Sequence, residues 1–198
     1  TEYVMVSLVE GAGGGLAAYP AGKGSGAVTA FGQADGFFAV KPQAESVPAG
    51  TPVEVTVIGA RHRPADLVAM GSHCVGLDVL VGRLVREGLS VKAINVGSTG
   101  GLAAARRGEC DVAGVHLMDP GSGEYNRPFL TEALELVPGY RREQGIVFRP
   151  GDARFEGRSA EEAVALAAKS PDCIMMNRNP GSGTRILVDR LLGAARPP

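Results

Sequence analysis

Three strand-to-helix turns in this sequence carry glycine followed by serine: Gly71 and Ser72 in "AMGSHC", Gly97 and Ser98 in "NVGSTGG", Gly181 and Ser182 in "NPGSGTR". Such a turn presents backbone N–H groups that the helix leaves unbonded, and the serine adds a hydroxyl. The helix dipole favours negative charge there by about 0.3–1 kcal/mol per end, and each N–H bond to a charged acceptor contributes roughly 1.5–3 kcal/mol. Convergent neutral donors of this sort suit a small oxyanion. The candidate anion-binding residues are therefore Ser72, His73, Ser98, Thr99, Ser182, Thr184 and Arg185. Taken singly, Ser72 or Ser98 reads as an ordinary N-cap, and the clamp reading rests on three such turns at strand ends. Arg185 opposes the dipole of its own helix, which points to an anion or an acidic partner, with a surface salt bridge as the alternative.

Better-known chemistries fail on spacing. No lysine follows the glycines of "NPGSGTR", so the phosphate-loop pattern is absent. Ser182 has Pro180 and Thr184 two positions away, which excludes a nucleophile elbow. The glycines at 11–15 are not a dinucleotide fingerprint, because no crossover helix follows them. His73 is either a donor to a ligand or a solvent-facing side chain. His116, inside the strand pattern "DVAGVHL", reads by default as a satisfied core or cleft histidine, and His62 as an idle linker residue. The three histidines and three cysteines show no metal-site spacing. Tyr125 and Asn126, in the loop "DPGSGEYN", are cleft-lining candidates, and Asp119 in the same loop is a helix or turn cap. Glu161 and Glu162 belong to a helix start, so no catalytic residue is assigned.

The elements that position these residues fall into two groups. Residues 1–60 read as all-β: "YVMVSLV" and "VEVTVI" are strands, the latter with Val53, Val55 and Val57 on one face. "EGAGGGL" is a hairpin loop, and "SVPAGTP" a type I turn with Pro48 second and Gly50 fourth. From residue 65 strands alternate with helices. "ADLVAM", "VKAINV", "DVAGVHL", "GIVFR" and "DCIMM" are strands. A helix with Leu77, Leu80, Val81 and Leu84 at helical spacing stops at Gly88, another closes at Gly108, and Ser159 with Glu162 forms a capping box. Alternation of this kind implies βαβ units and a mostly parallel sheet. The break at 59–65, "GARHRPA", is the linker between an all-β domain (1–60) and an α/β domain (65–198).

Composition sets the remaining bounds. The chain has 198 residues, 44% hydrophobic and 21% charged, with a formal net charge of −1. Nothing in that balance attracts nucleic acid, and no apolar run approaches the roughly 20 residues of a membrane span. Cys74, Cys110 and Cys173, with no secretory signal, suit a reducing compartment, so a cytoplasmic location is expected. The chain opens in a strand pattern and closes just after a helix, as expected of part of a longer protein.

The stretch "KGSGAVTAFGQADGFFAVKPQAESVPAGTPVEVTVIG" resembles the C-terminal β-domain of MoeA-type molybdopterin molybdenumtransferases, through Gly24–Gly26, Ala34–Gly36 and Ala49–Val55. The remainder, "MGSHC…NVGSTGGLAAARRGECDVAGVHLMDPGSGEYN…REQGIV…NRNPGSGTR", looks like the type 2 periplasmic-binding-protein-like domain fused after MoeA in some bacteria. The resemblance implies a small barrel-like β-domain, then a two-lobed anion receptor whose second lobe is truncated here. It also implies a molybdenum-cofactor biosynthesis protein whose metal-inserting site, with its Mg²⁺, lies mainly in an upstream domain, so this chain alone is expected to be inactive. By that resemblance Ser25 either approaches the pterin substrate or lies in a plain barrel turn, and the β-domain packs near the active site, often across a homodimer. The α/β domain then binds molybdate or tungstate. The alternative is a non-enzymatic sensor or carrier of molybdate or of the pterin cofactor.

Overall fold

The computed structural model describes residues 1–22, 32, 34–59, 64–137, 139–141, 143–176, 178 and 183–193. These form two compact units: Thr1–Val96 with Gly100–Gly114, and Gly97–Thr99 with Val115–Pro198. The division falls inside the α/β region.

The first unit opens with an antiparallel sheet of β1 (Glu2–Glu10), β2 (Leu16–Pro20), β3 (Gly36–Val40) and β4 (Thr56–Val57), in the order β2-β1-β3-β4. Alternation in β1 turns Val4, Val6 and Leu8 inward with Phe38, and Val53 and Val55 pack against them. Val57 is 38% exposed. The glycine loop closes the β1–β2 hairpin as expected, with the Gly11 N–H donating to the Gly15 carbonyl at 2.9 Å. The proline turn differs from the type I turn read in the sequence. It spans Pro48–Thr51, closed by Thr51 N–H to Pro48 O at 3.2 Å, and its third residue Gly50 has φ +82°. A positive φ at the third position marks a type II turn, which selects glycine there.

A parallel sheet follows in the same unit: β5 (Leu67–Gly71), β6 (Val91–Asn95) and β7 (Val112–Gly114), in the order β6-β5-β7. Helix α1 (Val75–Arg86) joins β5 to β6, and α2 (Gly97–Arg106) joins β6 to β7. Both end as expected at glycines. Gly88 N–H reaches Val85 O and Leu89 N–H reaches Leu84 O, while Gly108 and Glu109 repeat the pattern on Ala105 and Ala104, the paired bonds of a Schellman stop. Helix α1 buries none of its residues, and Leu80 is 47% exposed.

Two clusters of polar contacts among the described residues tie the antiparallel sheet to the β6–β7 region. Lys92 on β6 donates to Asp35 Oδ2 at 2.6 Å and to the Leu8 carbonyl at 2.8 Å, and Asp35 Oδ2 also accepts the Leu8 N–H at 2.7 Å. Tyr19 on β2 donates its hydroxyl to Glu109 Oε2 and accepts from Arg107 Nη2 at 2.8 Å, while Arg107 also grips Glu109. The Arg107 bonds, followed by the Tyr19 hydroxyl, hold the Glu109 carboxyl below its ordinary range, and burial followed by Glu109 pushes the Tyr19 phenol up.

The second unit contains a short 3-10 turn (Arg127–Phe129), α3 (Ala160–Lys169) and α4 (Gly183–Leu192). Helix α3 has the expected capping box, Ser159 Oγ accepting Glu162 N–H and Glu162 accepting Ser159 N–H, and buries Ala163, Val164 and Ala167. The strands expected at "GIVFR" and "DCIMM" are not formed: residues 143–149 and 173–176 carry no ladder among the described residues, and Val147 and Met176 are 99% and 91% exposed. A β-propensity becomes a strand only where a neighbour supplies cross-strand pairs. No helix among the described residues is long and apolar enough to cross a membrane.

The Glu109 contact makes acid sensitivity predictable. A carboxyl held below its unfolded value of 4.5 contributes stability above that pH and loses it as pH falls through the lower folded value. Glu109→Gln is expected to lower the urea midpoint at pH 7, with the gap to wild type closing on acidification below about pH 4.5. A gap that stays constant down to pH 3 would sink this account.

Candidate functional site

The helix N-termini among the described residues lie in different electrostatic settings. Helix α1 has Cys74, not Ser72, at its N-cap, and carries Asp78 in its first turn. His73 Nε2 contacts both Asp78 oxygens, at 2.9 and 2.8 Å, and the Ser72 N–H donates to Gly114 O at 2.8 Å. Asp78 thus puts a carboxylate where an anion would otherwise profit from the helix dipole. Helix α3 is likewise closed by its own Glu161 and Glu162. Helices α2 and α4 have no acidic residue in the first turn, and the α2 N-cap, Val96, offers no side-chain acceptor.

Within the second unit, His116 connects the starts of those two helices. It lies two residues beyond β7, not inside a strand as its sequence pattern suggested. Its N–H donates to Ser98 Oγ at 3.1 Å, and its ring Nδ1 lies 3.2 Å from the same oxygen. Ser98, in the first turn of α2, is the polar residue buried among the described residues, at 7% exposure. With the ring proton on Nε2, Ser98 donates to Nδ1. With a proton on Nδ1 the bond reverses and releases the serine hydrogen to another acceptor. Thr99 beside it is exposed.

On the other side of His116 lies Gly183, the first residue of α4. A Cβ at Gly183 would fall 2.2 Å from the His116 carbonyl oxygen and 3.1 Å from its ring Cδ2, so only glycine lets α4 begin there. Thr184 Oγ1 accepts from Gln144 Nε2 at 3.2 Å, a bond that uses a lone pair and leaves the hydroxyl able to donate. Arg185 is engaged by its own helix: Nε reaches both Asp189 oxygens at 2.8 and 2.9 Å, and Nη1 reaches the Arg178 carbonyl at 3.2 Å. That is the salt-bridge alternative of the sequence reading.

The loop after His116 is a tight hairpin. Met118 pairs with Tyr125, and Asp119 Oδ2 accepts the Ser122 N–H and hydroxyl, each at 2.7 Å. Those bonds, the backbone one first, hold the Asp119 carboxyl below its ordinary range. Asp119 is therefore the turn cap that its sequence context allowed. Asn126 bonds the loop's base, accepting the Leu117 N–H at Oδ1 at 2.9 Å, and Tyr125 is 45% exposed.

The candidates thus divide. Ser98, Thr99, Tyr125, Asn126, Thr184 and Arg185 belong to the second unit, whereas Ser72 and His73 belong to the first. Ser182, Ser25 and His62 lie outside the described residues. Gln144 and Gly183 are the residues that sequence reasoning missed, while His116 reads in sequence as a satisfied core or cleft histidine, without its partners. Nothing near 116 in sequence marks its partner at 98. Among the described residues no group of three or more His, Cys, Asp or Glu is arranged to hold a metal ion.

Comparison with known proteins agrees with the two-part reading. The MoeA C-terminal region (domain IV) matches residues 1–58, and the PBP superfamily domain matches residues 82–197. A relative in Bacillus subtilis (strain 168), called uncharacterized protein YvgK, is 30% identical over 103 residues, covering 49% of this chain and 31% of the relative. The chain thus spans about a third of that relative's length. No solved structure matches.

The Gly183 contact is directly testable. Gly183→Ala forces a methyl onto a backbone oxygen, an overpacking that costs about 1–3 kcal/mol, read as a lower urea midpoint with amide shifts at His116 and Leu117. An unchanged midpoint and unchanged shifts would mean that α4 does not start against His116.

Proposed function

This chain belongs to the PBP superfamily domain family and carries a MoeA C-terminal region ahead of that domain, and on that premise we propose that its α/β domain binds a small oxyanion, molybdate or tungstate. The two matches support a molybdenum-cofactor-related function in general terms. The oxyanion reading is carried by one observation: His116 ties together two helix starts, those of α2 and α4, whose first turns contain no acidic residue. In this reading the first-turn N–H groups, with the hydroxyls of Ser98, Thr99, Ser182 and Thr184, replace the ion's hydration shell. Molybdate is a large, weakly basic dianion, so many neutral donors hold it without a direct cation. Arg185, already paired with Asp189, contributes at most a distant positive charge. Ser72 and His73 are the weakest members of the set, because Asp78 already occupies their helix electrostatically.

The parent protein in this reading is a molybdopterin molybdenumtransferase, and this chain is its C-terminal portion, inactive alone. In this reading the Mg²⁺ of that chemistry is held mainly by an upstream domain of the parent protein. Closure of the N-terminal sheet into a barrel, approach of Ser25 to the pterin and homodimer formation through that sheet belong to the same proposal. Tyr125 favours the second reading, a sensor or carrier that recognises the pterin cofactor. The residue is 45% exposed, and an aromatic ring is the side-chain type that stacks on a pterin.

Isothermal titration with molybdate, tungstate, sulfate and phosphate separates these readings. Saturable heat is expected with molybdate or tungstate, weakened about tenfold or more in Ser98→Ala or Thr184→Val, as the loss of one bond to a charged acceptor requires. Heat with none of the four anions, together with saturable binding of a pterin, would replace the oxyanion by the cofactor.

A further inference from the structure

We infer that Asn126 is a positioning residue of the His116 site: its side-chain amide oxygen locks the peptide group between His116 and Leu117, and so sets how His116 meets both helices. The inference deepens the oxyanion reading and rests on it for the identity of the ligand.

It begins from a backbone outlier. Among the described residues Asn126 is the non-glycine with a positive φ, at φ 63° and ψ −48°. The Arg127 N–H donates across it to the Tyr125 carbonyl at 2.7 Å. Those angles and that bond define a classic γ-turn, a rare and strained conformation. Strain of this kind persists only where surrounding contacts over-determine it, and here they do. The Asn126 N–H donates to the Leu117 carbonyl at 2.8 Å while its Oδ1 accepts the Leu117 N–H at 2.9 Å. One residue thus satisfies both backbone groups of Leu117, which is buried at 3% exposure and has no strand neighbour to do so.

The consequence follows from peptide planarity. The Leu117 N–H and the His116 carbonyl belong to the same trans peptide group and point in opposite directions. Holding the N–H on Asn126 therefore aims the carbonyl, and that carbonyl is the atom against which Gly183 opens α4. The next peptide back carries the His116 N–H to Ser98 Oγ. Rotation of the first peptide about its flanking bonds takes the carbonyl off the seat of α4, and the neighbouring ring held on Ser98 senses the change. Asparagine suits both demands, since it tolerates positive φ better than most residues and brings a carbonyl acceptor.

Two substitutions separate the demands. Asn126→Gly keeps the conformation and removes the acceptor, whereas Asn126→Asp keeps an acceptor. Each would be followed by nitrogen-15 NMR of the His116 ring, and Asn126→Gly also by molybdate titration. Asn126→Gly is expected to shift the His116 ring signals and the Leu117 amide and to weaken molybdate binding about tenfold, the loss of roughly one hydrogen bond's worth of order. Asn126→Asp is expected to restore the wild-type ring signals. Wild-type His116 signals in Asn126→Gly, or equal shifts in both variants, would overturn the positioning role. The ring signals report on it even if the wild-type chain binds no molybdate, so failure of the oxyanion reading remains distinct from failure of this one.

Discussion

The second unit is organised around one backbone amide, the His116 N–H, and the buried serine oxygen that accepts it. A buried hydroxyl without partners costs more than its bonds contribute, so Ser98 is stable in its place only because the His116 main chain and ring both meet it. That demand fixes His116 close to the start of α2, and the carbonyl of the same residue leaves room for α4 only at Gly183. Two helix starts are therefore defined by one residue, and any charge bound there is read by both.

The contrast among the four α-helices of the described residues shows why these two starts are the informative ones. Helix α1 meets its own Asp78, and α3 is closed by the reciprocal bonds of Ser159 and Glu162. Their N-terminal charge is already compensated inside the chain. Helices α2 and α4 lack such compensation in their first turns, and the difference lies in the sequence of each first turn rather than in helix geometry.

In the first unit the Lys92–Asp35 and Tyr19–Glu109–Arg107 contacts bind the antiparallel sheet to the parallel one. Lys92 and Asp35 are exposed by only 16% and 21%, so separating them would strand a charge in a poorly solvated seam. The match to the MoeA C-terminal region ends at residue 58, yet the compact unit continues to Gly114. Segments of different family origin have thus become one packed body, which linker composition at 59–65 does not reveal.

Local rules were enough for much of the fold. Apolar and β-branched runs marked β1, β5 and β6, helical spacing marked α1, glycines marked the ends of α1 and α2, and Ser159 with Glu162 marked the start of α3. Each of these depends on residues within a few positions of one another. The Gly-Ser turns at 71–72 and 97–98 were legible too, and so was their inequality, since Asp78 stands in the first turn of α1 and no acidic residue stands in that of α2. Tertiary structure alone decided the rest. The apolar runs at 146–148 and 174–176 formed no strands, because a ladder needs a partner that propensity does not supply. His116, by its pattern a core or cleft histidine of a strand, became the centre of the candidate site through Ser98 and Gly183, 18 and 67 positions away, and through Asn126, which bonds the adjoining Leu117, in a chain whose numbering cannot encode proximity.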